Sequence, residues 1–354
     1  MGHALISVAD WIKRAARTTG AWWERFWFTP VEPALLGLMR LATGAMLLYT
    51  HAVWGLRLKS FFGPTSWLSP DLVRAIQADS YSYSFWWLVP ENGIWIAHSI
   101  ALSIFFLFMI GFATRVTSVL ALAAAISYAN RVPAALFGLD QINIMLTLYL
   151  AIGPSGATFS VDRWIKTRRG RPAPSPSISA NLALRLVQFH MCVIYFFAGI
   201  SKLQGPSWWS GEAMWLAFAN REYQTLDMTW LAWHPWLVNL MTLITLCWEI
   251  SFCVLIWKPL FRPIMLIGAV ALHAGIGVCL GMWTFALIML VGCASFLPAG
   301  VIHAWVLHLR DRRLARKATL LTGEAIGKLA RETAGHPRPH ASAGHVGHHH
   351  SSTG

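Results

Sequence analysis

The chain has 354 residues, 56% of them hydrophobic and only 12% charged, with a mean hydropathy of +0.51. A soluble domain is nearer a quarter charged, so 15 acidic and 28 basic side chains cannot clothe a water-facing globule of this size. The 20 tryptophans exclude extensive disorder and suit a polytopic membrane protein whose rings sit at headgroup level.

Residues 1–32 read as an amphipathic segment lying along a membrane surface, with Trp11, Ile12, Lys13, Arg14 and Arg17. Eight apolar segments follow, at about 33–56, 92–112, 116–131, 138–153, 182–204, 234–257, 262–281 and 283–300. Several approach the ~20 residues that a bilayer core requires; the third and fourth are short and polar at their ends. The last two are divided only by Gly281, Met282 and Trp283, a tight turn. The stretches 57–91 and 205–233 are long and rich in Trp, and are expected to fold back onto the membrane as lids or half-helices. A basic, Pro/Ser-rich linker at 165–181 divides the 33–300 domain into four spans plus four, with no internal repeat. The basic tail, 301–354, loses its hydrophobicity and ends in HVGHHHSSTG. It is expected to be mostly disordered, with adventitious rather than designed metal binding. All five cysteines lie in apolar stretches without metal-ligand spacing and read as small buried groups.

Charge placement tests the span count. With the N-terminus in the cytoplasm, 20 Lys and Arg fall on the inside, 5 on the outside and 3 within spans. That asymmetry fits an all-α bundle of about eight spans with both termini cytoplasmic. It also explains the +13 balance through anionic lipid rather than nucleic acid.

Ionisable groups inside spans are costly and are read first as functional. Arg40 and Glu249 each lie roughly 10–12 Å from the cytoplasmic ends of spans one and six, which makes them candidate partners, either as a packing ion pair or as something more. Arg185, at the inner start of span five, reads as a snorkelling side chain. The other polar groups gather in the outer half: Thr50, His51, His98, Asn130, Arg131, Asp140, Gln141, Asn143, Tyr195, Lys202 and His273. Arg131 and Asp140 bracket one turn and could pair. Together these residues suggest one polar cavity capped by the Trp-rich loops. Lys202 has two readings: a snorkelling anchor, or an amine desolvated until it is neutral and able to take a proton.

The segment YFFAGISKLQGPSWWSGEAM, residues 195–214, resembles the Lys-bearing segment of the vitamin K-dependent gamma-carboxylases and their bacterial HTTM-domain relatives. FGLDQINIMLTLYLAIGPSGATFSVDRW and RLATGAMLLYTHAVWGLRLKSFFGPTSWLSP look like the bacterial members, and ALHAGIGVCLGMWTFALIMLVGCASFLP resembles the last pair of spans. The likeness covers about residues 25–300. It implies a bacterial cytoplasmic membrane, a reduced quinone of the menaquinol type, and oxygen and carbon dioxide as co-substrates. In the family the Lys matching Lys202 deprotonates the quinol. Oxygen addition then gives an epoxide and a strong base, and a glutamate carbanion captures carbon dioxide. Tyr195 and His273 would be polar groups of the cavity, Trp208 and Trp209 its closure, and a Glu-containing peptide the partner. Two features depart from the animal enzymes. Gly138, Leu139, Asp140 and Gln141 stand where a pair of Asn and a His precede span four, and no large domain follows the membrane part. Quinol oxidation is therefore better covered by the resemblance than glutamate carboxylation. The alternative is a non-enzymatic membrane partner or maturation factor for a secreted peptide. A transporter is disfavoured by the missing repeat.

Overall fold

A computed structural model describes residues 8–78 and 81–298, with isolated positions between 302 and 326. Contacts divide the chain into Met1–Ala299 and Gly300–Gly354; everything below concerns the first unit. The histidine-rich end of the tail lies outside the described residues.

The described chain is helical, with one isolated bridge between Val31 and Ser177. In chain order the α-helices are α1 (Val8–Phe28), α2 (Ala34–Gly55), α3 (Leu58–Phe62), α4 (Pro70–Ile76), α5 (Ile94–Ile110), α6 (Thr114–Arg131) and α7 (Gly138–Ile152). They continue with α8 (Val161–Arg168), α9 (Ile178–Leu203), α10 (Pro206–Trp209), α11 (Ala213–Ala219), α12 (Pro235–Leu255), α13 (Arg262–Leu280) and α14 (Trp283–Cys293). Each of the eight apolar segments contains a helix, α2, α5, α6, α7, α9, α12, α13 and α14, and all lie within a few residues of their expected bounds except α14, which ends at Cys293 and passes into a 3-10 turn at Ala294–Phe296. Among the described residues, Glu91–Ile110, α9, α12 and α13 are long and apolar enough to cross a membrane; Gly138–Ile152 and Trp283–Phe296 are shorter apolar helices.

Local chemistry sets the helix ends. Ser177 accepts from the Ala180 amide to open α9, Ser160 from Arg163 to open α8, and Ser69 from Leu72 to open α4. The α13–α14 turn closes in two residues, Gly281 and Met282. α2 packs along α5, α9 along α12, and α13 along α14, while α7 touches α2, α6, α9 and α14 from the middle.

The buried arginines organise loops rather than pairing with carboxylates. Arg40 is fully buried and donates to the carbonyls of Ser155 and Phe159. Gly111, in the left-handed region at φ +69°, ends α5 against this guanidinium, and a Cβ there would collide with it. The expected Arg40–Glu249 pair does not form, because the 153–160 turn supplies Arg40's acceptors. Arg131, also fully buried, donates to the carbonyls of Gly63 and Leu68 and to Ser66 Oγ. It therefore pins the 57–91 segment and does not pair with Asp140. Asp140 instead accepts from the Phe137 amide at the start of its own helix. Arg185 donates to the Phe26 carbonyl, with its guanidinium 4.2 Å from the Phe26 ring centroid. Asn181 donates to the carbonyls of Phe26 and Trp27. These two α9 side chains fasten the end of α1, so Arg185 is held by the protein instead of reaching for the headgroups.

The 205–233 segment folds against the first half of α12. Thr242 Oγ1 donates to the Gly211 carbonyl and accepts from the Met214 amide. The amides of Thr225 and Leu226 reach the Cys279 carbonyl at the end of α13. Phe218, Leu231 and Val238 form the buried centre of this substructure.

Candidate functional site

α9 and α12 run antiparallel, with Tyr195 facing Phe252 and Gly199 facing Glu249 and Ile250. Gly199 allows this approach: an added Cβ would lie 2.6 Å from Ile250 Cγ1. One turn further on, Lys202 Nζ meets Glu249 Oε2 at 2.7 Å. The carboxylate side chain is 8% exposed and the lysine 23%. Glu249 Oε2 has no aligned hydrogen-bond partner, so the contact is one of charges in close approach. Trp208, on α10, sets its ring 5.3 Å from the same nitrogen. Lys202 is the penultimate residue of α9, yet Glu249 lies 14 residues into α12, about 21 Å along its axis. α9 thus ends about two-thirds of the way along α12, and the folded 205–233 segment occupies the remaining length. Depths counted from the ends of apolar segments miss this offset, which is why the arithmetic paired Glu249 with Arg40.

Tyr195 and His273 form a second buried contact behind the ion pair. The Tyr195 hydroxyl lies 2.7 Å from His273 Nε2 and 3.3 Å from Cys293 Sγ, linking α9, α13 and α14. Both side chains are 2% exposed, and His273 Nδ1 has no partner. Trp209 is exposed and donates its ring N–H to the Leu203 carbonyl. Of the five residues expected at the site, the structure brings Trp208 onto Lys202, buries Tyr195 with His273 as a separate pair, and turns Trp209 to a backbone contact at the end of α9.

Residues 28–300 match the HTTM domain, the domain found in vitamin K-dependent gamma-carboxylase. The chain belongs to the HTTM-domain family. No curated protein and no solved structure matches it. With its apolar helices, membership makes the chain a membrane protein of the gamma-carboxylase-like kind.

Within this HTTM domain the remaining polar residues do not join Lys202 in one cavity. His51 Nδ1 lies 2.8 Å from the Leu47 carbonyl, which can only accept, so the proton sits on Nδ1. His98 Nδ1 meets the Tyr128 hydroxyl at 2.6 Å. His51, Tyr128, Asp140 and Asn143 line a cavity of about 10 Å³ among α2, α6 and α7, close to the size of one water. Asn143 is buried with both amide atoms unpartnered. A larger cavity, about 580 Å³, opens beside the α13–α14 turn and is lined by Phe137, Gly138, Tyr223, Met282 and Phe285. The Phe285 ring lies 5.9 Å from His273, and Lys202 does not line this cavity. The expected single cavity is therefore two clusters on either side of α7. Sequence reasoning named Glu249 but missed its role. The available signal was the Ala198–Gly199 step, small residues one turn before Lys202, which mark a close helix approach.

Proposed function

We propose that the chain is a multi-pass protein of the bacterial cytoplasmic membrane, with eight spans and both termini cytoplasmic. We propose further that it acts as a carboxylase-like, quinol-coupled enzyme with Lys202 as base. The distribution of Lys and Arg supports the orientation. The observation that carries the chemistry is the lysine itself: largely buried, against a carboxylate at 2.7 Å, with an aromatic face beside it.

A hydroxyl-bearing aromatic ring beside Lys202 would meet two groups. Trp208 offers a face for stacking, and Lys202 offers a nitrogen that can exchange a proton with a ring hydroxyl. A bound naphthoquinol would supply, with oxygen, the oxidative driving force that makes a base strong enough for a glutamate γ-proton. The protein's own part is to exclude water, orient the ring and hold the proton at Nζ. Tyr195 and His273 stand behind this arrangement and act through packing. Glutamate carboxylation, with carbon dioxide and a Glu-containing peptide, is the coupled step. The family's His before span four has no counterpart at Gly138–Gln141.

A second reading draws on the same ion pair. A paired ammonium can fasten two helices without chemistry, as suits a non-enzymatic partner or maturation factor for a secreted peptide. One experiment separates them. Purified protein receives reduced menaquinone without oxygen, oxygen is admitted, and epoxide is sought by mass spectrometry with and without a Glu-containing peptide. The wild type forms epoxide, and a folded Lys202→Ala variant does not. Full epoxide formation by that variant removes Lys202 from the reaction, and none from the wild type favours the partner role.

A further inference from the structure

The sequence reading makes Lys202 basic by drying it. The structure offers a different device, because the nitrogen is not alone: Glu249 Oε2 stands 2.7 Å away, and Gly199 lets α12 come close enough for this. We propose that the Lys202–Glu249 pair, acting as one unit, takes up the substrate's hydroxyl proton, with Glu249 as the residue that sets the basicity of Lys202. This rests on the reading of Lys202 as base and extends it to a positioning residue on a second helix.

The proton count follows from the pair. The pair carries one exchangeable proton, as ammonium beside carboxylate or as amine beside carboxylic acid, with a net charge of zero either way, and at 2.7 Å an Nζ–H that turns toward Oε2 can deliver its proton there. Burial of Glu249 disfavours separated charges and the short contact favours them, so the two arrangements compete. When a ring hydroxyl approaches Nζ, its O–H bond breaks and an N–H bond forms, and the proton formerly on nitrogen passes to Oε2. The pair then carries one positive charge and the substrate oxygen one negative charge, so the total is unchanged. A lone lysine must lose its proton before it can do this, near pH 10 if unperturbed. The pair always has a place for a second proton until the carboxylate itself is protonated. Catalysis is then switched off by acid when the Glu249 carboxylate is protonated.

The other titratable groups packed around the pair leave this role to Glu249. Tyr195, two turns back from Lys202 on α9, is engaged with His273 of α13 and Cys293 of α14. α10 brings Trp208, which does not titrate. Glu212, between α10 and α11, contacts Ser210 and is exposed.

Two readouts test the proposal: the pH profile of menaquinol oxidation, and an infrared titration of the Glu249 carboxyl band in quinol-free protein, assigned by its loss in Glu249→Gln. The wild-type acid limb should coincide with the infrared midpoint of the Glu249 carboxyl. In Glu249→Gln the limb should move up by two or more pH units, with activity recovered in alkali. Glu249→Asp should keep the low limb at a reduced rate. A wild-type limb in the ordinary lysine range overturns the proposal, and this measurement needs no variant to fold. So does a Glu249→Gln limb that stays in place, which would mean that dryness alone makes Lys202 basic. A Lys202→Ala variant that keeps its activity refutes the underlying reading instead, so the two failures are distinguishable.

Discussion

Gly199 stands where α9 runs against Glu249 and Ile250, and replacing it with alanine asks whether that approach holds the Lys202–Glu249 pair together. The new Cβ would lie 2.6 Å from Ile250 Cγ1 and 3.2 Å from the Ile250 amide nitrogen, about 0.8 Å short of ordinary contact at the tighter point. Overpacking of this kind costs about 1–3 kcal/mol, while alanine returns up to about 1 kcal/mol of helix propensity. Moving α12 outward by the missing distance stretches the ion pair from 2.7 Å to about 3.5 Å, a loss of about 1.4 kcal/mol at an effective dielectric of about 20. The net expectation is a destabilisation of about 1–3 kcal/mol, with slower proton uptake at Lys202. Gly275, in α13, is the control: a Cβ there meets nothing within 4 Å, so Gly275→Ala should be neutral or stabilising. Unfolding in detergent micelles, by heat or by added SDS, reads both variants. Ile250→Ala, which removes the colliding Cγ1, should recover at least about 1 kcal/mol in the Gly199→Ala background. If Gly199→Ala proves as stable as Gly275→Ala, the close approach does not hold the pair and the argument fails.

Other substitutions test the surrounding framework. Arg40→Met keeps the bulk but takes the guanidinium from the Ser155 and Phe159 carbonyls. The thermal midpoint should fall by the equivalent of about 2–4 kcal/mol, and Arg40→Lys should not restore it, since an ammonium lacks the fork that spans both carbonyls. Asp162 accepts from the amides of Ala113 and Thr114 and from the Thr114 hydroxyl, capping α6 from α8. Asp162→Ala should cost about 1–2 kcal/mol and speed hydrogen exchange at those two amides roughly tenfold; unchanged exchange would deny the cap. Tyr195→Phe keeps the ring against Trp248 and Phe252 but leaves His273 Nε2 without its hydroxyl. A loss of about 1–3 kcal/mol on unfolding is expected, and no loss would show that this contact does not stabilise the bundle.

Much of the architecture was legible because a helix surrounded by apolar neighbours or lipid must be apolar along its length. Eight hydrophobic runs became eight helices, and Gly281 with Met282 formed the short turn expected between the last two. The Trp-rich stretches resolved into the short helices α3, α4, α10 and α11. Candidate residues were legible for a related reason: polar atoms are costly where water is scarce, so Lys202, Glu249, His273 and Arg131 stood out against their surroundings.

Partnership was not legible. A buried arginine is satisfied as well by carbonyls of a distant turn as by a carboxylate, and spacing along the chain carries no trace of which it will find. Arg40 took the turn after α7, Arg131 took the segment between α2 and α5, and Asp140 capped its own helix. Depth was likewise decided by tertiary packing. α9 stops about two-thirds of the way along α12 because 205–233 folds into the remaining length, and this offset, with the gap that Gly199 leaves, delivers Glu249 to Lys202. Composition and hydropathy alone specify which groups must be hidden from water, since that cost depends on each side chain. Which hidden groups meet depends on how helices slide and cross, and only the assembled bundle determines that.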